Sequence, residues 1–180
     1  MLNSIKGVNM VSLNPIHIVK HWMFPERLVC AHCDIPCGIY DPHLAQIAAH
    51  TVVRMSTLIN GLEKPGADAT QDQSAIYVHK ISRMTNVKEH HAELVKQELR
   101  ILWADYFKPE HIEQFPDLHD TFWKAMKEAS EAKVHRNLEA ANGLRDAVTK
   151  VAEIFWKSKG ASPVRKPSRQ TSGGELVYPE

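Results

Sequence analysis

Cysteine is scarce in this 180-residue chain, and its three copies, Cys30, Cys33 and Cys37, all crowd into one short segment. An odd, clustered set of thiols is not a disulfide framework. The chain also lacks an excess of either charge: 22 Lys and Arg face 21 Asp and Glu, for a net charge of +1. Composition therefore gives no electrostatic ground for binding nucleic acid or an anionic membrane. Long apolar runs are missing too, and none approaches the ~20 residues that cross a bilayer as a helix. Asn14, Pro15, His17 and Lys20 interrupt the N-terminal stretch. It thus lacks the continuous apolar core of a secretory signal, and a cytoplasmic protein is expected. No internal repeat, G-x-G-x-x-G, Walker loop or HExxH pair occurs. The motif-borne nucleotide and zinc-protease readings have no support.

What is present is His32-Cys33-Asp34-Ile35-Pro36-Cys37-Gly38-Ile39-Tyr40-Asp41-Pro42. Two thiols and an imidazole fall within a few residues, and Pro36, Gly38 and Pro42 punctuate a compact hook. Clustered thiols in a cytosolic chain point to metal binding or redox chemistry, because thiolates favour soft and borderline metals. The residues alone leave several readings open: a metal centre, a reactive Cys-x-x-x-Cys pair, a zinc half-site without its second Cys pair, or an incidental cluster.

From Asp41 onward the pattern becomes helical. Leu44, Ile47, Thr51, Met55, Leu58 and Leu62 recur at three- and four-residue steps, the period of an amphipathic helix. Asp41 is the expected N-cap with Pro42 at the first helical position, and Gly61 with Pro65-Gly66 ends the helix. A second helix is predicted from about Asp72 to Trp103, its stripe including Tyr77, Ile81, Met84, His91 and Val95. A third follows Pro116-Asp117, and a fourth carries Leu144, Val148, Val151 and Phe155 until Gly160 and Pro163. The turn between them falls loosely at 134–140, with Asn142-Gly143 the nearest breaker. The fold class is therefore all-α: an antiparallel up-and-down four-helix bundle behind an N-terminal hook. Residues 162–180, rich in Ser, Gly, Pro and basic side chains, read as a disordered tail. His43, His50, His79 and His90 read as surface or interface residues.

The hook resembles the nickel-binding hook of the nickel superoxide dismutases. Leu102 to Pro109, Phe115-Pro116-Asp117-Leu118-His119 and Ile154-Phe155-Trp156 resemble further segments of that family in the same order. The likeness covers about His32 to Lys159. It implies a superoxide dismutase cycling Ni(III)/Ni(II), with one nickel ion per subunit, and superoxide as substrate. It also implies a homohexamer. The ligands would be the Cys33 and Cys37 sulfurs, the Cys33 amide nitrogen and the α-amine of His32, a square-planar N2S2 set. The His32 imidazole would be the axial ligand of the oxidised state.

An α-amine on His32 requires a cut after Ala31. The resemblance thus makes residues 1–31 a propeptide removed by a processing protease, and 32–161 the mature bundle. Removal takes away Lys6, Lys20, Arg27 and Glu26, moving the formal charge from +1 to −1 (three positives and one negative lost). Pro36 fixes the bend, with a cis Ile35-Pro36 bond as the family expectation. The resemblance also implies that Tyr40 would sit beside the open axial face and order water, and Asp34 would brace the hook through backbone hydrogen bonds. Where the family orients its axial imidazole with a glutamate and an arginine, this chain has Ala48 and His91. His91 is the candidate replacement. The competing reading is a non-enzymatic bundle whose uncut Cys33/Cys37 pair binds zinc or copper.

Overall fold

The computed structural model describes residues 37–180. Among these are four long helices, one short helix and a two-stranded hairpin: α1 (His43–Asn60), α2 (Gln71–Ile101), α3 (Pro109–Gln114), α4 (Leu118–Val134), α5 (Leu138–Ser158), β1 (Pro163–Pro167) and β2 (Glu175–Pro179). α1 packs on α2, α2 on α4, α4 on α5, and α5 back on α1. That closed square of sequential neighbours is the expected up-and-down bundle.

Three of the four long helices start where side chains satisfy orphan N–H groups. The Asp41 carboxylate accepts the His43 N–H at 2.6 Å, but the helix starts one residue later than the Asp-Pro signal suggested, with Pro42 at the N-cap and His43 first in the helix. α2 opens on a capping box: Thr70 Oγ1 accepts the Gln73 N–H at 3.2 Å and Gln73 Oε1 accepts the Thr70 N–H at 2.9 Å. The Asn137 side chain accepts the Ala140 N–H at 3.1 Å and starts α5. The turn expected at 134–140 is therefore residues 135–137. Asn142-Gly143 lies inside α5 and breaks nothing. A Cβ on Gly143 would meet the Glu128 carboxylate at 3.1 Å, so this glycine serves close approach of α4 and α5.

The core alternates small and large side chains, which lets the helices approach closely and interdigitate. Ala48, Ala92, Ala129 and Ala141 are buried between Leu99, Leu144, Phe122 and Phe155. Ile154 and Phe155 are internal, whereas Trp103 is 42% exposed. α2 buries nothing fully until Lys88. The Lys88 ammonium donates to the carbonyls of Ala132 (2.7 Å), Lys133 (3.1 Å) and His135 (2.7 Å). A cation from α2 thus caps the carbonyl end of α4, where the helix dipole favours positive charge.

The tail expectation is overturned. Residues 163–179 form an antiparallel hairpin with Leu176 and Val177 buried. Ser162 and Glu180 exchange both backbone bonds, so by antiparallel alternation the Arg165–Val177 pair makes none. The outward N–H and C=O of Val177 go instead to Gln46 on α1. Oε1 accepts at 2.7 Å and Nε2 donates at 3.1 Å. On the other edge, Pro163 and Pro167 flank Arg165 and remove two donors, which discourages further strand pairing. His50, read as a surface residue, is only 3% exposed. Its Nε2 donates to the Glu175 carbonyl at 3.2 Å and its Nδ1 pairs with Ser172 Oγ at 2.8 Å.

Candidate metal centre

Cys37 is the first described residue of the hook, and its thiol is exposed. The Ile39 N–H points at its sulfur at 3.4 Å. A donor aimed at sulfur favours the thiolate, the form that binds metal. Gly38 holds φ at +71°, and nothing lies within 4 Å of where its Cβ would be. The glycine is needed for backbone handedness, not for room. It reverses the chain so that the Cys37 sulfur and the Ile39 amide face each other. A soft anionic donor with a backbone N–H directed at it fits a nickel ligand.

The chain then runs to Tyr40, which is partly buried and packs against the core. Its ring meets Tyr106, centroids 5.5 Å apart and planes at 55°. Tyr106 is fixed from several sides. Its ring stacks on His111 (5.6 Å) and contacts Phe155 (4.7 Å), and its hydroxyl pairs with Ser158 Oγ at 2.8 Å. The Lys159 ammonium lies 5.5 Å from the same ring, a cation–π contact.

Tyr106 reaches this place because α2 does not end as a plain α-helix. Leu102–Tyr106 is a π-helical turn, closed by the Phe107 N–H on the Leu102 carbonyl at 3.0 Å. The extra residue per turn re-aims the last side chains, and such turns gather at functional sites. Pro109 then opens α3 in a new direction. A period of 3.6 cannot reveal such a turn, so the sequence reading missed both it and the role of Tyr106. The only signal lay in the segment Leu102 to Pro109 itself.

His32, Cys33, Asp34 and Pro36, together with the expected cis Ile35-Pro36 bond, the 1–31 segment and its cleavage point, lie outside the described residues. Among the described residues no three His, Cys, Asp or Glu side chains gather into a metal cluster. His91 is partly buried, and its Nδ1 donates to the Val87 carbonyl of its own helix at 2.8 Å. Its ring meets His90 edge-on at 5.3 Å. Ala48 is 1% exposed and belongs to the core.

A family model described as nickel-containing superoxide dismutase matches residues 27–159. The chain is 36% identical over 137 residues to "Superoxide dismutase [Ni]" of Streptomyces coelicolor, covering 76% of this chain and 95% of that protein. It is 38% identical to the Streptomyces seoulensis protein of the same name, with the same coverage. A native nickel superoxide dismutase structure aligns at TM-score 0.61 and 35% identity, over 71% of this chain and 99% of that one. A structure with nickel ligation of the oxidised state aligns at 0.62 and 35%, over 72% and 100%.

Proposed function

The chain belongs to the nickel-containing superoxide dismutase family, and from that premise we propose how its own residues build the centre. The protein is a nickel-dependent oxidoreductase that converts superoxide to O2 and H2O2, with one nickel per subunit. Bound nickel supplies a Ni(III)/Ni(II) couple, so one superoxide gives up an electron and leaves as O2, while the next gains that electron and two protons to leave as H2O2.

The proposed ligands are the Cys33 and Cys37 thiolates, the Cys33 amide nitrogen, and the α-amine and imidazole of His32. The observation that carries this reading is the Cys37 turn, where the Ile39 N–H faces the sulfur at 3.4 Å. Asp34 and Pro36 shape the rest of the hook. Tyr40, braced by Tyr106, would hold a water beside the site and so supply a proton for peroxide release. His91 would orient the His32 imidazole through Nε2, since its Nδ1 is taken by the Val87 carbonyl.

The α-amine demands a cut after Ala31 by a processing protease, leaving 32–161 as the mature bundle, followed here by the hairpin. A homohexamer in the cytoplasm completes the proposal. No helix among the described residues is long and apolar enough to cross a membrane.

Intact-mass analysis, N-terminal sequencing and metal analysis of protein from its native host test the reading together. A chain beginning at His32 with about one nickel per subunit is expected. An uncut chain holding zinc or copper overturns the ligand set and leaves a plain thiolate site.

A further inference from the structure

One face of α1 presents Ile47, His50, Thr51, Arg54 and Met55 at helical spacing. The hairpin turn lays Gln170, Thr171 and Ser172 beside it, lining an open cavity of about 250 Å³. The solved structures above align over 71–72% of this chain but 99–100% of their own. The family model also stops at Lys159. The hairpin, and with it the cavity wall formed by Gln170, Thr171 and Ser172, therefore lies beyond the matched region, while the α1 wall lies within it.

The cavity's charges are one-sided. Arg54 is partly buried, and its guanidinium has no ion pair or hydrogen bond among the described residues. No carboxylate lines the cavity. The other strong donor nearby, Arg145, is engaged with Asp146 at 3.0 Å and lies against Gly174 of the same turn. Several polar groups are already committed. The Thr51 hydroxyl donates to the Ile47 carbonyl at 3.1 Å. Because His50 Nε2 donates to Glu175, Ser172 gives its proton to Nδ1. That leaves the Arg54 fork and the exposed Thr171 hydroxyl and Gln170 side-chain amide without an acceptor among the described residues, the Gln170 backbone N–H being given to Ser168 Oγ at 3.1 Å.

We propose that this cavity binds a small oxyanion of the phosphate class, held by Arg54 from α1 and by Thr171 and Gln170 from the hairpin turn. A partly desolvated guanidinium gains most from a planar or tetrahedral oxyanion that accepts two parallel N–H bonds. The cavity suits a small anion and is too small for most drug-sized ligands. Because its donors come from both walls, a bound oxyanion ties the hairpin to the bundle. The Ile47 and Met55 side chains complete the wall without adding charge.

The test is thermal unfolding of the mature nickel-loaded protein with inorganic phosphate titrated against chloride at constant ionic strength. A saturable rise in Tm with phosphate and none with chloride is expected, with slowed amide exchange at 170–172. Arg54→Gln abolishes the rise, and Arg54→Lys weakens apparent affinity at least tenfold. Thr171→Val, at an exposed position that places the fold at little risk, weakens it several-fold. Glycerol 3-phosphate tested alongside separates the sources: equal affinity identifies the phosphate group alone, tighter binding a phosphomonoester, and both support the site. Equal effects of phosphate and chloride, or the same rise in Thr171→Val and Arg54→Gln as in wild type, overturn it.

Discussion

Gln46 and Val177 are joined at two points, the Gln46 side-chain amide closing on both backbone groups of the Val177 peptide at 2.7 and 3.1 Å. A single side chain here does what a third strand would do, satisfying the free edge of β2. Gln46→Ala leaves one buried N–H and one buried C=O without partners, each costing about 1–3 kcal/mol. Release of the hairpin caps that loss. The expected outcome is fast amide exchange at Val177 and its neighbours, with the bundle's protection unchanged. Loss of protection throughout α1 and α5 would show that the hairpin is integral to the bundle.

Acid should loosen the same junction through His50. Burial is the main cause of its lowered pKa, opposed by the bond to Glu175 and reinforced by the Arg145 charge. The folded state therefore prefers the neutral ring. Its contribution is complete above the unfolded value of about 6.5 and drains away as pH falls below it. The slope from one proton is at most about 1.4 kcal/mol per pH unit. Denaturant unfolding between pH 7.5 and 5 should show it, and His50→Asn should flatten the profile in that window.

Both residues explain why the hairpin was illegible. Leu176-Val177-Tyr178 is a short apolar run in a Ser-, Gly- and Pro-rich context, and composition weighed against structure. What orders it are partners on α1, 131 residues away for Gln46, and no local pattern reports such a pairing. The four long helices were legible because Leu44–Leu62 and Leu144–Phe155 repeat at the helical period. The starts of α1 and α4 followed from Asp41-Pro42 and Pro116-Asp117, whereas the Thr70 capping box of α2 was not foreseen and the α4–α5 turn, capped by Asn137, was placed only loosely. The hook was legible because thiols and an imidazole so close together have few chemistries open to them. The shape of its support was not, because the π-turn that aims Tyr106 is an exception to the period that reveals helices.

Lys88 is a further contact that the pattern hid, a cation on an inward position of α2 serving the end of α4. Lys88→Met keeps the stem's packing and removes the charge. Three carbonyls then lose their donor, and the expected loss is about 1–3 kcal/mol, the cost of leaving buried acceptors unmatched. Urea unfolding measures it, and the m value should stay constant if only the native state is affected. A loss within error would mean that water replaces the ammonium at His135 and its neighbours.

The Tyr40–Tyr106 contact gives the sharpest separation between holding nickel and using it. The proposed ligands all lie in the hook from His32 to Cys37, whereas Tyr106 touches Tyr40 and the bundle. Tyr106→Phe removes only the hydroxyl bond to Ser158, worth about 0.5–1.5 kcal/mol, and keeps the ring against Tyr40. Tyr106→Leu removes the ring and the His111 stack as well. Nickel content should stay near one per subunit in both variants, because no ligand is altered. Groups that support a metal site from outside it typically cost 10- to 100-fold when removed. The leucine variant should therefore fall about tenfold in kcat/KM, and the phenylalanine variant should stay close to wild type. Equal activity in all three would remove Tyr40's placement from catalysis, and loss of nickel in the leucine variant would make the aromatic cluster a scaffold for the hook instead.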